Sequence, residues 1–138
     1  KAINSYNEIY RAAGAVHGCV LCDGDQILHF VEDVGRHNAT DTIAGEMWLE
    51  GISGNDKVFY TTGRLTSEIV MKAAHMGIPV LISRSGITYM GLELAQDLGV
   101  TMIARAKGKH FLVYNGEDTV LYDQKPKQKM PVDNPSKT

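Results

Sequence analysis

Two cysteines in 138 residues are too few for a disulfide framework, and that scarcity fits a reducing, cytoplasmic setting. No apolar run approaches the length of a bilayer span, and no basic segment leads into a short apolar one. Neither a transmembrane helix nor a secretion signal is therefore expected. An excess of one charge is also missing. Fourteen basic side chains stand against 16 acidic ones for a net charge of -2, so no whole-molecule field attracts nucleic acid or a membrane surface. Internal repeats are absent too. The chain starts at Lys1 without a methionine, which suggests a fragment or a processed product. What is present is 43% hydrophobic content in a chain of ordinary domain size, enough for one packed core.

Taken in order, Tyr6, Ile9 and Tyr10 stand at helical spacing and predict a short helix over residues 1–13. Residues 16–21 and 26–31 read as strands around Cys22-Asp23-Gly24-Asp25, whose Asp-Gly pair is a hairpin-turn signal. Asn38 with Asp41 three residues on suggests a capped helix start, with Ala39, Ile43 and Met47 as its apolar stripe and Gly51 as its stop. A strand at 58–60 leads through Thr61-Thr62-Gly63-Arg64 into a helix over 66–75 that buries Ile69, Val70, Ala73 and Ala74. Residues 80–82 read as a strand buried on both faces. Ser83-Arg84-Ser85-Gly86 turns it into a third helix closed by Gly99. Strands at 101–104, 111–114 and 119–122 complete the sheet. The expectation is one α/β domain over 1–122, a three-layer α/β/α sandwich with helices on both faces of a mixed sheet. A polar, solvated tail follows over 123–138.

The chemistry concentrates at three turns. Gly35-Arg36 follows one strand, Gly63-Arg64 a second and Arg84-Ser85-Gly86 a third, each leading toward a helix start. An arginine at a helix start opposes the macrodipole by roughly 0.3–1 kcal/mol. Three such placements point to an anionic partner, and phosphate fits the guanidinium fork best. The plainer arrangement is a set of surface bridges, Arg36 with Glu32 or Asp33 and Arg64 with Glu68. His37 beside Arg36 is placed to donate to a phosphate or shuttle a proton, or simply to be hydrogen-bonded at a helix start. His17 and His75 read as structural. Cys19-Val20-Leu21-Cys22 has redox spacing but lies in a strand, where residues three apart point to opposite faces, so both read as packed strand cysteines.

Glu32-Asp33-Val34-Gly35-Arg36-His37-Asn38-Ala39, Thr62-Gly63-Arg64-Leu65-Thr66-Ser67-Glu68 and the run from Lys72 to Val80 resemble the formate dehydrogenase accessory sulfurtransferases, the FdhD family. Ala13-Gly14-Ala15-Val16-His17 and Phe111-Leu112-Val113-Tyr114 match in order. The resemblance implies a cytidine-deaminase-like fold, a homodimer, and a part in maturing the formate dehydrogenase catalytic subunit. It implies transfer of sulfur from a cysteine desulfurase to the molybdenum bis(molybdopterin guanine dinucleotide) cofactor. The cofactor or its guanine nucleotide would be held through Phe111, Leu112, Val113, Tyr114, Asn115 and Gly116, with Arg36, His37, Gly63, Arg64, Arg84 and Ser85 as the accompanying site. The family's sulfur-carrying cysteine sits in an N-terminal portion with no counterpart in this sequence, so no catalytic residue is expected here. A zinc deaminase would need H-x-E and P-C-x-x-C at successive helix starts. The matching turns offer His37-Asn38-Ala39 and Arg64-Leu65-Thr66-Ser67 instead, so no zinc is expected. The competing function is a non-catalytic guanine-nucleotide or phosphate-binding module.

Overall fold

The computed structural model describes residues 16–121. The helix expected over 1–13 and the tail over 123–138 lie outside these residues. The order is β1 (His17–Asp23), β2 (Gln26–Asp33), α1 (Arg36–Glu50), β3 (Lys57–Thr61), α2 (Ser67–His75), β4 (Val80–Ser83), α3 (Tyr89–Leu98), β5 (Thr101–Lys107) and β6 (His110–Asn115). The strand expected at 119–122 does not form in its described part. Gly116 turns the chain off the sheet at φ 79, and Glu117–Thr119 is a 3-10 turn.

The sheet runs β2-β1-β3-β4-β5-β6. β3, β4 and β5 are parallel, whereas β1 pairs antiparallel with both β2 and β3, and β6 pairs antiparallel with β5. β2 therefore runs the same way as β3, β4 and β5, and all four end at one edge. Each crossover through a helix (β2 to β3, β3 to β4, β4 to β5) steps the same way across the sheet. Right-handed crossovers then put all three helices on one face. That face holds the core: Cys19, Leu21, Phe59, Leu81 and Met102 lie beneath Ala39, Ile43 and Met47 of α1, Ile69, Val70 and Ala73 of α2, and Ala95 of α3. Phe59 is fully buried at its centre, where truncation to alanine would cost about 3–5 kcal/mol.

The mixed α/β sheet is as expected, but no helix of the described residues covers the other face. This explains why β4 is only half as buried as its sequence suggested. Leu81 and Ser83 are buried toward the helices, while Val80 and Ile82 are partly exposed. The start of α1 also differs. The helix begins at Arg36 rather than at Asn38, with Gly35 as its N-cap and no side-chain cap; Asp33 fixes the turn before it, taking the Gly35 N–H at 2.8 Å and Asn38 Nδ2 at 3.5 Å. Asp41, expected at the cap, instead accepts from Lys72 Nζ of α2 at 2.8 Å.

Candidate functional site

The edge where β2, β3, β4 and β5 end is tied together by hydrogen bonds between its loops. Thr61 Oγ1 accepts the Gly63 N–H at 3.1 Å, and Ser83 Oγ accepts the Ser85 N–H at 2.9 Å. The two loops are thus built alike, each opening on a hydroxyl residue that takes the amide two positions on. They are also joined: Ser83 Oγ donates to the Gly63 carbonyl at 2.6 Å, and Arg84 N–H to the Thr61 carbonyl at 3.0 Å. Leu65 N–H then reaches the Gly86 carbonyl at 3.0 Å, and Thr88 N–H reaches the Leu65 carbonyl at 3.1 Å. Each loop ends on a threonine that caps a helix, Thr66 accepting from the Ile69 amide and Thr88 from the Gly91 amide. The start of β1 joins the same assembly, since Gly18 N–H donates to Thr62 Oγ1 at 3.0 Å.

The three arginines picked out by sequence do meet at this edge. The side chain of Arg36 lies across Gly63: a Cβ there would stand 3.3 Å from Arg36 Cδ and 3.2 Å from His17 Nδ1. Arg36 Nε is buried with no hydrogen-bond partner, an arrangement that costs about 1–3 kcal/mol unless something offsets it. Burial first, and the Arg36 charge second, push the His17 imidazole below its ordinary pKa. Arg64 is exposed at the next turn. The bridge expected between Arg64 and Glu68 is absent, because Glu68 engages His37 Nε2 at 3.1 Å. Of the two alternative bridge partners named for Arg36, Glu32 or Asp33, Asp33 instead contacts Gly35 and Asn38. His37 is thus held by Glu68, with its Nδ1 buried and unpaired. Arg84 is half-buried, and the Ser85 carbonyl accepts from the Arg105 N–H at 2.8 Å.

Arg105 is the residue the sequence reading missed. It sits on β5 at φ 51, and its guanidinium nitrogen lies 3.6 Å from where a Cβ on Gly86 would be. With it, all four arginines of the described residues stand at one edge. No local spacing foretells this, since a bulge in the β5–β6 pairing between Ala104 and Lys107 produces it.

The strand from Phe111 to Gly116 is divided. Phe111 lies near the arginine end and is exposed, beside Leu112. Val113 and Tyr114 lie further along, partly buried. Asn115 and Gly116 are at the opposite edge, where Asn115 Nδ2 donates to the Val100 carbonyl at 2.7 Å and the Ala95 carbonyl at 3.2 Å. A Cβ on Gly116 would strike Thr101 Oγ1 at 2.4 Å. These two therefore close α3 onto β5, away from the arginines, because the strand is long enough to carry its two ends to opposite edges.

Both cysteines are free. Cys19 is fully buried on the helix side, its thiol donating to Thr61 Oγ1 at 3.5 Å, and burial raises its pKa. Cys22 pairs in register with Val58 on the other face, and burial raises its pKa as well. Among the described residues no three His, Cys, Asp or Glu side chains gather as a metal would need. No described helix is long and apolar enough to cross a membrane.

The model of the FdhD/NarQ family matches residues 1–121. The chain is 35% identical over 121 residues to the sulfur carrier protein FdhD of Geobacillus kaustophilus, covering 88% of this chain and 46% of that protein. It is 35% identical over 111 residues to the protein of the same name from Bacillus subtilis, covering 80% and 42%. The chain thus spans less than half the length of these curated relatives. A crystal structure described as a formate dehydrogenase accessory protein from Desulfotalea psychrophila matches with a TM-score of 0.79 at 38% identity, over 87% of this chain and 53% of that one. The dCMP deaminase of cyanophage S-TIM5, solved with dCMP and dUMP, matches with a TM-score of 0.54 at 14% identity, over 75% and 93%. The second likeness is one of fold, and it bears out the cytidine-deaminase-like architecture.

Proposed function

The chain belongs to the FdhD/NarQ family, and from that premise we propose that it is the cofactor-binding core of a cytoplasmic accessory protein that matures formate dehydrogenase. Its cargo is the molybdenum bis(molybdopterin guanine dinucleotide) cofactor or its guanine nucleotide part. Arg36, Arg64 and Arg84 take the phosphates, while exposed Phe111 offers a ring face to the base. The observation that carries this reading is the buried, unpartnered Nε of Arg36 at an edge shared by every described arginine. An anion there would neutralise the cluster, satisfy that donor and reverse the unfavourable dipole term at the start of α1.

In this reading sulfur comes from outside the described residues. A carrier needs an exposed thiolate of lowered pKa, whereas Cys19 and Cys22 face opposite sides of the sheet with raised pKa values. The cysteine desulfurase, the formate dehydrogenase catalytic subunit and a second copy of the chain are the proposed partners.

The test is calorimetry with GDP and GMP on the wild type, Arg36→Ala and Arg64→Ala. Losing a charge-assisted phosphate contact removes about 1.5–3 kcal/mol, so each variant should bind at least several-fold more weakly. Unchanged affinity in both would reduce the arginine edge to a solvated surface. Tight nucleotide binding with no effect on formate dehydrogenase maturation would favour the plain nucleotide-binding module.

A further inference from the structure

The face of the sheet turned away from the three helices is apolar from side to side. Register places Phe30, Val20, Tyr60, Ile82, Ile103 and Val113 in one row across all six strands, and none is charged. The next row, from Ile27 through Cys22 and Val58 to Val80, is uncharged as well. A solvated sheet face would carry polar residues at these alternate positions. The exposures along the first row also require a cover. Val20 is fully buried, and Tyr60, Ile82, Ile103 and Val113 are only partly exposed. Strand side chains stand roughly perpendicular to the sheet, so Phe30 and Tyr60 shield the flanks of Val20 and leave its top. No helix of the described residues lies over that top.

The sequence holds one segment that suits this surface. Ala2, Ile3, Tyr6, Ile9, Tyr10 and Ala13 fall within about 120° of a helical wheel, and Lys1, Asn4, Glu8 and Arg11 fall outside that arc. Wound as a helix, residues 1–13 would be about 20 Å long, the width of roughly four strands. Gly14 and Ala15 lead from this segment toward β1, which begins at the carboxyl edge and carries Val20. The segment therefore enters beside the row that needs covering.

We propose that this face, centred on Val20 and Tyr60, is the docking surface for an amphipathic helix formed by residues 1–13, with Tyr6, Ile9 and Tyr10 seated on it. The docked helix supplies the third layer of the sandwich, and the assignment stands independently of the phosphate-binding reading. The two cysteines are built-in reporters, Cys22 on this face and Cys19 on the helix side. The experiment measures maleimide labelling of each cysteine in the full chain, alongside thermal melts. It compares the wild type with Ile9→Ser, Tyr10→Ser and the outward-facing Glu8→Ala.

Ile9→Ser and Tyr10→Ser should each label Cys22 about tenfold faster than the wild type, because each removes one buried apolar side chain that holds the segment down. Cys19 should stay slow throughout, and Glu8→Ala should match the wild type. Wild-type labelling of Cys22 in both serine variants would overturn the assignment. So would a Cys22 rate that rises on dilution of the wild type, which would show a second copy covering the face. Should the serine variants unfold, seen as equal labelling of Cys19 and Cys22, nuclear magnetic resonance on the wild type decides. Ring protons of Tyr6 and Tyr10 should show Overhauser contacts to methyl groups of Val20, Val58 or Ile82, and their absence would overturn the assignment.

Discussion

At the amino edge of the sheet, Gly99 closes α3 at φ 68 and Gly116 turns the chain off β6 at φ 79. At the carboxyl edge, Gly63 and Gly86 take no positive φ and serve as floors for arginine side chains. One edge uses glycine for its backbone freedom, the other for its missing side chain. The polar groups divide in the same way. At the amino edge Lys57 pairs with Asp56 and Asp23, and Asn115 bonds the Ala95 and Val100 carbonyls at the end of α3. At the carboxyl edge a buried Arg36 nitrogen goes without a partner, and Arg105 sits in a strained conformation. The amino edge is arranged for stability alone, whereas the carboxyl edge keeps features that cost stability and that an anion would offset.

The sharpest way to break this contrast is to substitute glycine at each edge. Gly54, just before β3, packs so closely on α2 that a Cβ would lie 2.1 Å from the Met76 carbonyl oxygen. Backbone on both sides cannot give way, so Gly54→Ala should cost about 3 kcal/mol and lower the melting temperature by roughly 10 °C. Anion affinity of the folded protein should stay the same. A loss of pyrophosphate binding without loss of stability would show that the amino edge is part of the site.

Asn115→Ala comes next. It removes one good and one longer hydrogen bond to the end of α3, for a loss of about 1–2 kcal/mol. GDP affinity should not change, because Asn115 lies at the far end of β6 from the arginines. Loss of GDP binding at unchanged stability would restore Asn115 to the nucleotide site and extend that site along the whole strand.

Gly63→Ala tests the carboxyl edge itself. Its added carbon meets the flexible Arg36 side chain at 3.3 Å and His17 Nδ1 at 3.2 Å, contacts that a shift of a few tenths of an ångström relieves. The cost in stability should stay below about 1 kcal/mol. Pyrophosphate affinity should nonetheless fall several-fold, because Arg36 is pushed off its floor. A variant with wild-type affinity would show that the floor does not position Arg36.

How far the sequence foretold this molecule depends on the range of the interaction. The Asp-Gly hairpin, the stops at Gly51 and Gly99, and the stripe of Ala39, Ile43 and Met47 were legible because they rest on contacts within a turn or two. The shared edge of Arg64 and Arg84 was legible too, since parallel strands connected by a helix must end on the same edge; Arg36 joins them because β1 lies antiparallel between β2 and β3. Arg105 was not, because its place depends on a bulge in the pairing of β5 with β6. The start of α1 was misread for a similar reason: the path of β2 brings Asp33 onto the Gly35 amide, and the helix opens at Gly35 with no side-chain cap. Glu68 could have met Arg64 or His37 in sequence terms, and the packing of α2 beside α1 settles it in favour of His37.

The smallest expected effect is a pH dependence at the carboxyl edge. His17 touches the Gly63 floor, and its pKa is held below 6.5 by burial first and by the Arg36 charge second. As pH falls, the unfolded chain takes up this proton before the folded one does. Stability is therefore full above about pH 6.5 and declines as pH drops from there through the lower folded value. The imidazole is only partly buried, so solvent screening limits the effect to about a few tenths of a kcal/mol. Denaturant unfolding between pH 8 and 5 should show a shallower decline for His17→Gln than for the wild type. Saturating pyrophosphate should also make the wild-type decline shallower, since an anion on Arg36 weakens the second cause and leaves burial in place. An equal slope in His17→Gln would mean that another group sets the acid sensitivity of this edge. A wild-type slope that pyrophosphate leaves unchanged would place the anion away from Arg36.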